Sequence, residues 1–148
     1  LETVKKLGWT PDVIHCSGWM TALIPMYIKK FYADDPHFNE SKVVFSVYNN
    51  SFDGSLNKKL GDKLKFDNFS DEDIALLKDP NYENLCKTAI NFSDAVVIAG
   101  ENINKAVESH IKESGKPALT QSTADEVDAI PYSEFYDQVL ESNSILAE

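Results

Sequence analysis

Side chains able to do chemistry gather at two places along this chain. At the first, His15 and Ser17 precede Gly18 and Trp19 in the run Pro11-Asp12-Val13-Ile14-His15-Cys16-Ser17-Gly18-Trp19. At the second, Tyr48-Asn49-Asn50 closes an apolar run, and Phe52-Asp53-Gly54 follows it. An imidazole such as His15 exchanges a proton near neutral pH. The Tyr48 phenol donates a hydrogen bond or stacks, but it is no base at neutral pH. The Trp19 indole offers a flat apolar platform with one polar edge. His15 reads either as a core histidine bonded to backbone or as a ligand contact. Trp19 reads either as a core anchor or as a binding platform, and either Tyr48 or Asn49 is placed to face a cleft. Phe52-Asp53-Gly54 reads as a turn, because Asp-Gly suits tight turns by backbone geometry.

Other residues are less promising. His37 and His110 stand apart, with no ligand spacing to Cys or carboxylates, so no metal site is expected. Residues 54–61 contain no Walker-type pattern, and no glycine-rich phosphate loop is present. Lys87 reads as a solvated helix residue.

The elements that must position these groups follow from the apolar pattern. Residues 12–16, 42–48 and 95–99 are short and rich in β-branched side chains, as strands covered on both faces are. Helical spacing separates them. Trp19, Ala22, Leu23, Met26 and Tyr27 predict a helix ending near Lys29-Lys30, with Pro25 kinking it unless it falls in the first turn. Ser70-Asp71-Glu72-Asp73 predicts a capped short helix. Residues 84–92 form another, with Leu85, Ala89 and Phe92 on one face. Ile103, Val107 and Ile111 mark a further helix that stops at Ser114-Gly115 before Lys116-Pro117. Phe135, Tyr136, Val139 and Leu140 predict a last, acidic helix within residues 132–146, packed on the surface. Strands alternating with helices imply a parallel α/β sheet with right-handed crossovers.

With 148 residues and 43% hydrophobic content the chain supports one core. No run is apolar for long enough to span a membrane. The net charge of −10 argues against nucleic acid as a partner. From Gln121 onward there are seven carboxylates and no Lys or Arg, against 14 basic and 17 acidic groups before it. The expected organisation is therefore a near-neutral domain over residues 1–120 and an acidic segment over 121–148. Cys16 and Cys86 read as reduced core residues, which fits a cytoplasmic origin. The start at Leu1 reads as the end of a helix, so the chain is expected to be a fragment or a processed product.

Three collinear segments, spanning about 100 residues, carry a resemblance to the bacterial glycogen synthase and plant starch synthase family. Residues 11–25 match its strand, His-Asp-Trp turn and helix. Residues 43–54 match its strand followed by His-Asn, an aromatic residue, Gln and Gly. Residues 84–96 match its Asn-Phe-Leu-Lys-Ala-Gly helix, Tyr-Ala-Asp and strand. The resemblance implies a Rossmann-like parallel sheet with flanking helices, forming part of one half of a GT-B type glycosyltransferase. It implies transfer of glucose from ADP-glucose to an α-1,4-glucan such as glycogen or a maltooligosaccharide, with no metal and no cofactor. The positions implied to bind substrate are Ser17, Gly18, Trp19, Tyr48, Asn49 and Gly54.

The departures from the family are chemical. Ser17 and Gly18 stand where the family has His and Asp, Tyr48 where it has His, and Gly100-Glu101 where it has Ser-Pro. No catalytic residue is therefore assigned. The family's upstream lysine-glycine motif and its donor-binding half, which would hold ADP-glucose, have no counterpart here. The chain alone is expected to be inactive. The alternative is a degenerate glucan-binding or regulatory domain. A bare sheet edge would invite a homodimer. A generic flavodoxin-like or receiver-like module would need acidic strand ends, which Ser17-Gly18 and Tyr48 do not supply.

Overall fold

A computed structural model describes residues 1–121 and 130–142. Helix α1 (Glu2–Lys6) precedes strand β1 (Val13–Ser17). The connection to β2 (Lys42–Val47) holds a 3-10 turn at Trp19–Thr21, a single α-helical turn α2 (Ile24–Met26) and a π-helical turn at Tyr27–Phe31. Helix α3 (Leu60–Leu64), a 3-10 turn at Ala75–Lys78 and α4 (Tyr82–Asn91) lead to β3 (Ala95–Ala99). Then come α5 (Lys105–Ser114), β4 (Ala118–Gln121) and α6 (Ile130–Glu141).

The four strands are parallel and ordered β1-β2-β3-β4. Stepping the same way three times with right-handed crossovers puts every connection on one face of the sheet. The core obeys that rule. Cys16, Val43, Phe45, Val47 and Val96 bury against Met26, Ile28, Leu77, Leu85, Ile90 and Val107 from those connections. The alternate residues Val44, Ala95 and Val97 face the other way and form a second core with Phe135 and Val139 of α6. Without α6 that second apolar face would have no cover among the described residues. Each large side chain buried this way contributes about 1.5–3 kcal/mol.

Several expectations change in detail. The single helix expected after Trp19 is instead three short pieces. Pro25 sits in the first turn of α2, where its missing N–H breaks no helical bond. Ser70 and Asp73 do cap each other, with the Asp73 N–H donating to Ser70 Oγ at 3.1 Å. The helical turn that follows is 3-10 in form. Strand β4 was not among the expected strands. Its side chains alternate between exposed and half-buried, so it lacks the apolar run of a central strand. The expected boundary at 120/121 falls at the end of β4. The last helix begins at Ile130, and the expected stretch beyond residue 142 lies outside the described residues. It packs on the sheet itself.

The amino edge of the sheet is pinned by charge. Asp94 Oδ2 accepts the Val43 N–H at 2.7 Å and pairs with Lys29 at 2.7 Å. Lys116 Nζ donates to the carbonyls of Ile90, Asn91 and Ser93, satisfying acceptors at and just beyond the end of α4. Among the described residues, no helix is long and apolar enough to cross a membrane.

Candidate functional site

The carboxyl ends of β1 and β2 meet. The Gly18 N–H donates to the Ser46 carbonyl at 2.9 Å, so the chain leaves β1 still bonded to its neighbour. Gly18 has φ +74° and ψ 170°. That region is essentially open to glycine alone, since any Cβ crowds the backbone. A Cβ built there would stand 3.4 Å from Asn50 Nδ2 and 3.8 Å from Tyr48 Cδ2. Ser17 is exposed beside it, Trp19 and Tyr48 are half-buried, and Asn49 is exposed.

An aromatic path leads outward from this corner. The Trp19 and Phe52 rings lie 4.7 Å apart, and Phe52 meets Tyr82 edge-on at 6.1 Å. The Tyr82 hydroxyl donates to the Tyr48 carbonyl at 2.7 Å, and burial pushes its pKa up, so it stays a donor. Beyond these rings opens a hollow of about 380 Å³, with Asp53, Gly54, Asn81, Glu83 and Asn104 around Phe52. Asn81 and Asn104 also cap α4 and α5, each accepting backbone N–H bonds from the first turn of its helix. Two helix starts therefore open on one hollow, at the strand ends where α/β sheets hold ligands. The Asp-Gly turn at Asp53-Gly54 forms, with Gly54 at φ +78°.

The six expected binding positions thus divide. Gly18 is in contact distance of Tyr48, and Trp19 joins the hollow through Phe52. Gly54 lines the hollow, while Ser17 and Asn49 stand exposed at the strand ends. Sequence reasoning passed over Asn81, Tyr82, Glu83 and Asn104. They lie at the starts of α4 and α5, on either side of β3, and the helix-capping asparagines were the usable signal.

His15 points to the second face. Its Nε2 lies 2.5 Å from Ser46 Oγ and its Nδ1 2.5 Å from the Tyr136 hydroxyl. Burial lowers its pKa, favouring a neutral ring that donates on one side and accepts on the other. His37 is paired with Asp35 at 3.0 Å, a carboxylate neighbour the spacing argument had discounted. Among the described residues, no three His, Cys, Asp or Glu side chains gather as metal ligands. Cys16 and Cys86 are free and buried, and burial pushes their thiols up to about 12 and about 11.

Comparison with known proteins places this geometry. Residues 1–119 match the family model described as the starch synthase catalytic domain. The glycogen synthase of Clostridium perfringens is 31% identical over 109 residues, covering 74% of this chain and 23% of that protein. That of Photobacterium profundum is 30% identical over 131 residues, covering 84% and 24%. That of Pelodictyon phaeoclathratiforme is 45% identical over 64 residues, covering 43% and 13%. The chain thus spans about a quarter or less of the length of these relatives. No solved structure matches it significantly. With a family model covering four-fifths of its residues and a four-stranded parallel sheet of Rossmann-like form, the chain belongs to the starch synthase catalytic-domain family.

Proposed function

We propose that this chain is the acceptor-side part of a GT-B type glycosyltransferase of the glycogen and starch synthase kind. It binds an α-glucan, glycogen or a maltooligosaccharide, along Trp19, Phe52 and the hollow beyond them. Ser17, Gly18, Tyr48, Asn49 and Gly54 complete the binding surface. The observation that carries this reading is the unbroken path from the Trp19–Phe52 pair, 4.7 Å apart, into a hollow rimmed by amides and carboxylates. Sugar rings lay their C–H faces on aromatic rings and bond their hydroxyls to Asn, Asp and Glu.

Retaining transfer needs groups around the departing nucleotide as well as an acceptor platform. ADP-glucose belongs to a donor half in this reading, so residues 1–148 alone release no ADP. Residues 1–120 carry the binding surface in this reading, and the acidic segment 121–148 contributes α6, which covers the second face of the sheet. A cytoplasmic location accords with two free, buried cysteines. A homodimer would pair through the outer edge of β1, which carries no strand among the described residues.

The test is calorimetric titration with maltoheptaose, with ADP release from ADP-glucose followed in parallel. Millimolar or tighter binding, lost in Trp19→Ala, is expected, with no ADP released. Absence of binding, or turnover by this chain alone, overturns the reading. A second reading, a glucan-binding or regulatory domain without transferase activity, is favoured by Gly18. Its φ of +74° with ψ 170° strains the backbone of any acidic residue at that position. Turnover by the full-length protein decides between the two.

A further inference from the structure

Helix α6 lies beyond the residues matched to the family, yet its Tyr136 reaches β1, a strand that carries the site. His15 stands two residues before Ser17 in β1, and Ser46 two residues before Tyr48 at the end of β2. Both point to the second face, where the His15 ring bridges the two strands through Ser46 Oγ at 2.5 Å. The other ring nitrogen meets the Tyr136 hydroxyl at 2.5 Å. Tyr132 and Tyr136 flank the imidazole, with ring centres 5.9 and 5.8 Å from it. The Tyr132 hydroxyl donates to Gln121 Oε1 at the end of β4. Phe135 and Val139 already supply the apolar packing of α6, so these polar links add registration to adhesion.

We propose that Tyr136 is a positioning residue for the glucan site: through His15 it holds the carboxyl ends of β1 and β2 in register, and with them Gly18 and Tyr48. The proposal rests on the glucan reading above. Removing the phenol oxygen leaves the His15 ring with Ser46 Oγ as its one hydrogen-bond partner among the described residues. The Gly18 N–H donates to the carbonyl of that same Ser46, so this bond then loses part of its support.

The test compares the wild-type chain, Tyr136→Phe and Val139→Ala in maltoheptaose affinity, Tm and amide exchange. Tyr136→Phe is expected to keep Tm within about 3 °C, weaken maltoheptaose binding about 3- to 10-fold and speed Gly18 amide exchange. The amides of Val96 and Val97 should exchange as in the wild type. Val139→Ala, which loosens packing without touching the phenol, should lower Tm and leave affinity unchanged. Equal affinity for wild type and Tyr136→Phe overturns the proposal, as does an equal loss of affinity in Val139→Ala. If the wild type itself binds no maltoheptaose, the glucan reading falls. Gly18 exchange then decides alone: faster exchange in Tyr136→Phe supports the positioning role, and unchanged exchange overturns it.

Discussion

A methyl group added to Gly18 would stand 3.8 Å from Tyr48 Cδ2, so two turns some thirty residues apart in sequence form one corner of the sheet. The contact follows from topology. Parallel strands paired side by side end at the same edge, and the register of Ser17 with Ser46 brings Gly18 and Tyr48 to that edge together. It also defines what the corner lacks. The backbone there has a shape suited to glycine, and the side chain across from it is a phenol.

Gly18→Ala therefore costs stability. The position combines φ +74° with ψ 170°, and the new methyl must also fit against Asn50. A loss of about 1–3 kcal/mol is expected. Urea unfolding measures it, and a variant within about 0.5 kcal/mol of wild type would show that the backbone relaxes freely. Gly18→Asp should lose at least as much and gain no transferase activity.

Helix α6 should behave as part of the same cooperative unit as the sheet. Phe135 is 6% exposed and packs with Val44, Ala95 and Val97. Phe135→Ala is expected to destabilise the chain by about 3–5 kcal/mol. A chain ending at Gln121 should bind a hydrophobic dye that the whole chain does not, because Val44, Ala95 and Val97 would lose their cover. A cooperative, dye-silent truncation would show that α6 is dispensable.

Much of this arrangement was legible beforehand, and the remainder was hidden for identifiable reasons. Val96, Val97 and Ile98 form an unbroken β-branched run, and β3 spans the expected residues. β1 begins one residue late and β2 ends one early, as strand ends commonly do when flanking residues are polar. β4 escaped because an edge strand with Thr120 exposed has no apolar run to announce it. The apolar stripe of α6 was readable from Phe135 and Val139, but its target was not. Sequence periodicity marks a buried face without naming what covers it. The corner of Gly18 and Tyr48 was readable because strand ends share an edge. The hollow was not, because Asp53 and Asn81 come together through a connection with no repeating pattern.

Lys116 offers a test of the opposite edge. Its ammonium donates to the carbonyls of Ile90, Asn91 and Ser93, and burial lowers its pKa. Lys116→Met keeps the stem but leaves those carbonyls without a charged donor. The expected loss is about 1–3 kcal/mol. Amide exchange should rise in the last turn of α4 and at the start of β3. An unchanged Tm would mean that water replaces the ammonium at no cost.

The pH dependence of folding should be set by His15 in the mildly acidic range. Burial lowers the pKa of His15, and burial with Lys87 nearby lowers that of His110. A base with a lowered folded pKa is protonated first in the unfolded chain. Its stabilising contribution is thus complete above the ordinary histidine value of about 6.5 and is lost as pH falls through the folded value. Carboxylates do not confuse this window. Asp35, held down to about 2 chiefly by its hydrogen bond from Lys5, loses its contribution only below about pH 4. Tm should therefore fall as pH drops below about 6.5. His15→Gln keeps a hydrogen-bonding side chain without the titration, and should flatten that slope while leaving the His110 share. A slope as steep in His15→Gln as in the wild type would mean that the imidazole between Ser46 and Tyr136 takes up its proton as easily folded as unfolded.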